Sequence, residues 1–278
     1  MKPKRSYAAR PAMPQHGDPL WSAMPPVEIA AFYKFSALPD FAEYRAPLRA
    51  AADKAQVRGT ILLAAEGING TIAGPPSGVA DVLSALLALP GMAGLASKSS
   101  FAEEMPFKRM KVRLKKEIVT LGVPGVDPLQ RVGTYVAPEE WNALISDLAV
   151  TVIDTRNDFE VAQGSFEGAI NPHTERFGQF PDFVARRLGE KKDQPIAMFC
   201  TGGIRCEKAT SYLLAQGFTR VYHLDGGILN YLARVPASQS LWRGDCVVFD
   251  ERGAVDHALR PASISPSSPA LAPRNSSS

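Results

Sequence analysis

The stretch PIAMFCTGGIRCEKATSYLLAQG, residues 195–217, reads as one continuous unit: an apolar strand that ends at Cys200, a short glycine-containing loop, and a helix. Ligands in open α/β sheets bind at the carboxyl ends of strands, beside the N-termini of the helices that follow. A cysteine at that place is therefore a candidate for chemistry, and the strand–loop–helix order decides how the rest of the chain is read. Around it the same rhythm repeats. PEEWNALISD reads as a helix, AVTVID as a strand, FPDFVARRLGE as a helix, RVYHLDGG as a strand and ILNYLARV as a helix. Strands that are apolar throughout, alternating with helices, predict a parallel sheet covered on both faces. This domain is expected over residues 130–255.

Upstream the pattern differs. VEIAAFYKFSAL reads as a buried strand and RAPLRAAADKAQ as a helix with Pro47 in its first turn. GTILLA and GTIAG read as two strands joined by a hairpin turn at AEGING, centred on Glu66–Gly70. Val79, Val82, Leu83, Leu86 and Leu87 recur at helical spacing, and Pro90-Gly91 ends that helix. Strands are expected near 98–101 and over 110–121. The order β-α-β-β-α-β predicts a ferredoxin-like sandwich over residues 27–123. The Pro- and Ser-rich ends, 1–26 and 260–278, are expected to be disordered.

The totals narrow the class. The chain has 278 residues, is 45% hydrophobic and 21% charged, and carries a net charge of +3, which permits nucleic acid binding without requiring it. Three cysteines cannot build a disulfide framework, and the odd one favours a reducing compartment. No apolar run reaches the roughly 18–20 residues that span a bilayer. The prolines of the basic N-terminal arm favour disorder over an organelle presequence. The expectation is a cytoplasmic protein with no membrane association and no protein partner.

Within the loop, Gly202 and Gly203 let the backbone turn its amides inward, and Arg205 adds a permanent positive charge. Together with the helix N-terminus these favour a thiolate, so Cys200 is expected to have a lowered pKa and a reachable sulfur. The C-x5-C spacing to Cys206 departs from the C-x2–4-C of metal clips. Cys246 has no cysteine partner, and His16, His173, His223 and His257 form no H-x3–5-H pair, so no metal site is expected. A Cys200–Cys206 disulfide stays open as a resolving or regulatory state. An inert core cysteine is disfavoured by the glycines and arginine around it.

CTGGIR after an apolar strand resembles the active loop of the rhodanese domain, and VIDTRNDFEVAQGSFEGAINP, residues 152–172, resembles that fold's other signature. Its C-x4-R loop is shorter than the C-x5-R loop of the cysteine phosphatases. The resemblance extends further. GTILLAAEGINGTIAG, FCTGGIRCEKATSYLLAQGF, VYHLDGGILNYL and VVFDERGAV, in this order, are similar to the bacterial rhodanese-type tRNA uridine(34) hydroxylases, over about residues 27–255. The resemblance implies a ferredoxin-like (acylphosphatase-like) domain followed by a rhodanese-like one, and oxygen-dependent 5-hydroxylation of the wobble uridine. It also implies that Cys200 is the persulfide-forming cysteine and Cys206 a second loop cysteine. Catalytic roles are thus expected for Cys200 and Arg205, with Thr201, Gly202, Gly203 and Ile204 supplying loop backbone. Molecular oxygen is the implied co-substrate with a reductant these residues do not identify; no bound cofactor is expected, since the chain shows neither a nucleotide fingerprint nor an iron triad. Some members carry a C-terminal cysteine pair, whereas no cysteine follows Cys246 here. The same loop would serve a sulfurtransferase acting on thiosulfate or another small donor, but plain sulfur transfer gives no reason for the first domain. A redox-sensing or tRNA-binding module is the non-enzymatic alternative.

Other residues weigh differently. Asp154 and Arg156 read as a structural ion pair, Glu160 and Glu167 as surface or loop anchors, His173 as a hydrogen-bonding loop residue and His223 as a core residue. In FKRMKVRLKKE, Lys111, Arg113 and Lys115 alternate and share one face of a strand, flanked by Lys108 and Arg109. These five are candidate contacts to the anticodon arm of tRNA, against the plainer reading of a solvated edge strand. Tyr33, Phe107, Phe177 and Phe180 are candidate aromatics for stacking on an unpaired base.

Overall fold

The computed structural model describes residues 27–189 and 192–262. The expected disordered arm (1–26) and residues 263–278 of the expected tail lie outside these. The chain divides into two compact units after Ile118.

The first unit runs β1 (Val27–Phe35), α1 (Arg45–Lys54), β2 (Arg58–Ala64), β3 (Gly67–Gly74), α2 (Pro76–Leu87), β4 (Ser97–Ala102) and β5 (Met110–Leu114). The sheet order is β4-β1-β3-β2-β5. β5 pairs parallel with β2, and the other pairings are antiparallel. This is the ferredoxin-like order expected, with β5 added as an edge. Strand alternation sends Ala30, Phe32, Ile61, Leu63, Ile68, Ile72, Met110 and Val112 to one face, where they pack on Leu48, Val79, Val82 and Leu86 of the helices.

Two details correct the sequence reading. The strand expected over 110–121 stops at Leu114. The turn expected over Glu66–Gly70 is only Ala65-Glu66, because Gly67–Gly70 already belong to β3. Gly67 makes this tight reversal feasible: its φ is +139°, and a Cβ there would lie 2.0 Å from the Lys34 carbonyl oxygen. The hairpin also acquires a role. The Glu66 carboxylate accepts the Ile118 N–H at 2.7 Å and the Asn69 amide donates to the Ile118 carbonyl at 2.9 Å, tying down the segment that follows β5.

The second unit comprises β6 (Thr134–Val136), α3 (Pro138–Ile145), β7 (Thr151–Asp154), α4 (Asp158–Val161), β8 (Gly164–Phe166), α5 (Phe180–Arg187), β9 (Ile196–Phe199), α6 (Ile204–Ala215), β10 (Val221–Leu224), α7 (Gly227–Arg234) and four short strands, β11 (Trp242–Gly244), β12 (Cys246–Val247), β13 (Ala254–Val255) and β14 (Pro261–Ala262). Its main sheet is parallel, order β6-β10-β9-β7. Every residue of β9 is buried. Ile196 and Met198 join Phe180, Phe183 and Leu213 on one side, while Ala197 and Phe199 join Trp141, Phe166, Ile228 and Tyr231 on the other. A strand covered on both faces has no polar alternation to show, which is why its sequence is apolar throughout.

The division falls before the 123 of the sequence reading, since Leu121 and the flanking Val119, Val123 and Val126 pack into the second unit's core. Pro261 and Ala262, read as the start of the tail, pair with β13, and the Arg260 N–H donates to Asp256 at 2.9 Å.

Candidate functional site

Cys200 follows the last residue of β9, and α6 begins four residues later behind Gly203, whose φ of 104° no other residue adopts without strain. The turn aims the Gly203 N–H at the Cys200 sulfur, 3.1 Å away. Burial alone would push the Cys200 thiol up. The Cys206 side chain and the Arg205 charge, together with the amides of Cys206 and Gly203, more than offset this and lower it to about 5. Cys206 moves the opposite way: burial, then its hydrogen bond to Cys200 and the charge there, raise it well above an ordinary thiol. The Thr155 hydroxyl donates to the Phe199 carbonyl at 2.9 Å and sits 3.5 Å from the Cys206 sulfur, fixing that side chain. None of the three cysteines is in a disulfide, and burial pushes Cys246 up to about 12.

Arg205 is buried, and its guanidinium meets both oxygens of Glu160 at 2.7 Å. Burial works against both charges. Their mutual attraction wins, holding the Glu160 carboxyl low and keeping Arg205 protonated. Thr201 closes the group, its hydroxyl 3.3 Å from Glu160 and from Arg205. Of the two readings its sequence context left, surface or loop anchor, Glu160 is the second, and it is buried. It lies in the first turn of α4, where its carboxylate also accepts the Asn157 N–H at 3.1 Å. The signal that could have found it is its place inside the stretch resembling the fold's second signature. Glu167 is exposed.

The loop carbonyls are held from the other side. The Ile228 N–H donates to the Cys200 carbonyl at 2.9 Å and the Leu229 N–H to that of Thr201 at 3.1 Å. This approach requires Gly227, since a Cβ there would lie 2.4 Å from the Cys200 oxygen. Between the strand, these amides and α6, Cys200 is fully covered. The sequence reading expected a reachable sulfur; instead the atom is charged but enclosed, with half-exposed Gly202 and Ile204 beside it. Asp154 and Arg156 form the structural ion pair anticipated, buried, with contacts of 2.9 and 2.7 Å, and Ser165 donates to Asp154 at 2.8 Å.

The other candidates have surroundings of their own. His173 is exposed and paired at 3.0 Å with Asp158, while His223 is buried against the Tyr135 ring. Phe177 and Phe180 belong to the core and are not stacking surfaces. Tyr33 and Phe107 are half-buried in the first unit. Lys111 and Arg113 do share one face of edge strand β5, Lys115 lies just past its end, and Lys108 and Arg109 are exposed before it. Among the described residues no group of three or more His, Cys, Asp or Glu side chains is arranged to hold a metal ion, and no helix is long and apolar enough to cross a membrane.

Two family models match the two units. Residues 27–118 match the family described as UPF0176 acylphosphatase like domain, and residues 137–234 match the rhodanese-like domain family. Among solved structures, the rhodanese-like domain of an Anabaena protein is 20% identical, with a TM-score of 0.34, over 40% of this chain and 78% of that one. A tRNA uridine(34) hydroxylase of Sinorhizobium fredii is 59% identical over 231 residues, 83% of this chain and 74% of that protein. One of Rhizobium etli is 57% identical over 235 residues, 84% and 76% respectively. At that identity across both units, this chain belongs to the tRNA uridine(34) hydroxylase family.

Proposed function

We propose that this protein hydroxylates C5 of the wobble uridine in tRNA, with molecular oxygen as co-substrate and Cys200 as the reacting side chain. The observation that carries the reading is the Gly203 N–H set 3.1 Å from the Cys200 sulfur, which together with Cys206 and the Arg205 charge favours the thiolate. The thiolate, or a persulfide it forms by taking the outer sulfur of a sulfane donor such as thiosulfate with loss of sulfite, adds to C6 of the uracil. That addition leaves an enolate with its electron density at C5, the position that gains oxygen. Arg205 and the loop amides stabilise negative charge at this point. Once C5 has taken one atom of dioxygen, loss of the C5 proton and expulsion of the sulfur from C6 restore the double bond and free the thiolate, while the other oxygen atom becomes water, which takes two electrons and two protons. A two-electron reductant from outside the chain supplies them. The base must leave its stack to react, which costs least in a single-stranded loop such as that of the anticodon. The sulfur must be uncovered at the same time, so substrate entry is coupled to opening of the loop.

Mass spectrometry of tRNA nucleosides from cells lacking the protein tests this. Loss of wobble 5-hydroxyuridine derivatives, restored by wild type and not by Cys200→Ala, is expected. Unchanged modification in a strain with no other route to it, alongside sulfur transfer from thiosulfate by the purified protein, would replace this reading with a sulfurtransferase.

A further inference from the structure

We propose that the helix-free face of the first unit's sheet is a platform for single-stranded RNA, with Tyr33 as its stacking residue and Lys98, Lys111 and Arg113 as its phosphate contacts. The proposal deepens the function above and rests on tRNA being the substrate.

The helices cover one face of this sheet, so the residues of opposite parity line the other. Register sets them in rows across the strands. One row reads Lys98, Ala31, Thr71, Thr60, Lys111, and the next reads Tyr33, Asn69, Leu62, Arg113. Arg58 lies opposite Ala73 in the row beyond. No Asp or Glu occupies any position in these rows, and all four ionised side chains on the face are cationic. Met105 and Phe107 pack over Val27, Ile29 and Ala73 at one end, and Asn69 in the Tyr33 row is committed to the Ile118 carbonyl, which leaves the Ala31 row and Tyr33 itself as the half-exposed part.

This combination fits one kind of ligand. Ala31, Thr71 and Thr60 make a low floor, and the Tyr33 ring stands beside it, in edge contact with Phe35 at 6.3 Å. Lys98 and Lys111 are separated by four strand spacings, about 19 Å, so they flank a run of nucleotides and do not share one phosphate. A five-stranded sheet in the order β4-β1-β3-β2-β5 that presents an aromatic ring from the inner strand β1 and cations from its two edge strands suits unstacked bases with a phosphate backbone. A duplex offers it no base faces.

Fluorescence anisotropy with the full-length protein and a synthetic, unmodified anticodon stem–loop RNA, titrated at several salt concentrations, tests this. Tyr33→Ala should weaken binding about tenfold or more, and Tyr33→Phe should not. Lys98→Glu should weaken binding and flatten its salt dependence. Lys54→Glu, on the helical side, should do neither. Equal affinity and salt slope for wild type, Tyr33→Ala and Lys98→Glu would overturn the platform while leaving the tRNA reading intact. So would equal competition by an RNA duplex of the same length. A wild-type protein that ignores the stem–loop even at low salt would overturn both.

Discussion

Arg205 and Glu160, 45 positions apart in the chain, form a buried, two-pronged ion pair with both contacts at 2.7 Å. The pair joins the active loop to the short helix α4 and fixes where the guanidinium charge sits relative to Cys200. Arg205 is thus committed to a partner before any substrate arrives, and its influence on the sulfur is that of a fixed field.

Replacing Glu160 by Gln should therefore be costly. It leaves a buried guanidinium without its counter-charge, and breaking a buried pair by removing one member costs about 3 kcal/mol or more. Urea unfolding at neutral pH would measure this, and a difference below about 1 kcal/mol would refute the role. The pH dependence has a definite sign. The folded-state pKa of Glu160 is lowered, so its contribution is complete above the unfolded-state value of about 4.3 and is lost as pH falls through the lower folded value. The gap between wild type and Glu160→Gln should accordingly close only in acid.

Gly227→Ala should displace the loop. The new methyl would meet the Cys200 and Thr201 carbonyl oxygens at 2.4 and 2.8 Å and the Gly203 nitrogen at 2.7 Å, at a φ of +68°. The atoms it would meet are all backbone and cannot swing away. We expect loss of hydroxylation in the nucleoside assay and a lower melting temperature. Wild-type values for both would mean that α7 does not hold the loop.

Much of this was legible before the structure. The apolar run ending at Cys200 announces β9 because a strand buried on both faces carries no polar alternation, and Gly203 announces the turn into α6. The alternation of Lys111 and Arg113 against Met110 and Val112 places β5 correctly. The covering of Cys200 was not legible, since it comes from amides of α7 some 28 positions downstream. Glu160 was hidden for the same reason: a lone acid in a polar stretch looks solvated until its cation, on another element, is brought against it. The extent of β5 was misread because Ile118 is buried without being in a strand, held instead by Glu66 and Asn69.

The edge strand offers a test that does not involve the sulfur. Reversing Lys111, Arg113 and Lys115 to Glu together should weaken tRNA binding and reduce the slope of log affinity against log salt, by about 0.7–0.9 for each phosphate that is no longer neutralised. These side chains point away from the core, so the melting temperature should stay close to wild type. An unchanged salt slope would return the strand to the plainer reading of a solvated, charge-protected edge.

The charge on Cys200 has the sharpest signature. Only the thiolate is alkylated, so the rate rises with pH through the pKa of the attacked sulfur. With that value lowered to about 5, modification of Cys200 by iodoacetamide should reach half its plateau near pH 5 and be flat across neutrality. An ordinary thiol near 8.5 would still be accelerating there. Enclosure of the residue slows the plateau, because the loop must open first, yet leaves the midpoint in place so long as opening does not itself titrate. Cys206→Ala removes the side-chain donor and should move the midpoint upward, while Cys206→Ser keeps a donor and should largely preserve it. Cys246, pushed up to about 12, and Cys206, raised as well, should stay silent over this range, so peptide mapping can assign the signal. A Cys200 midpoint near 8.5, unaffected by either replacement, would show that loop amides, thiol and guanidinium do not ionise the sulfur, and the addition step would lose its nucleophile.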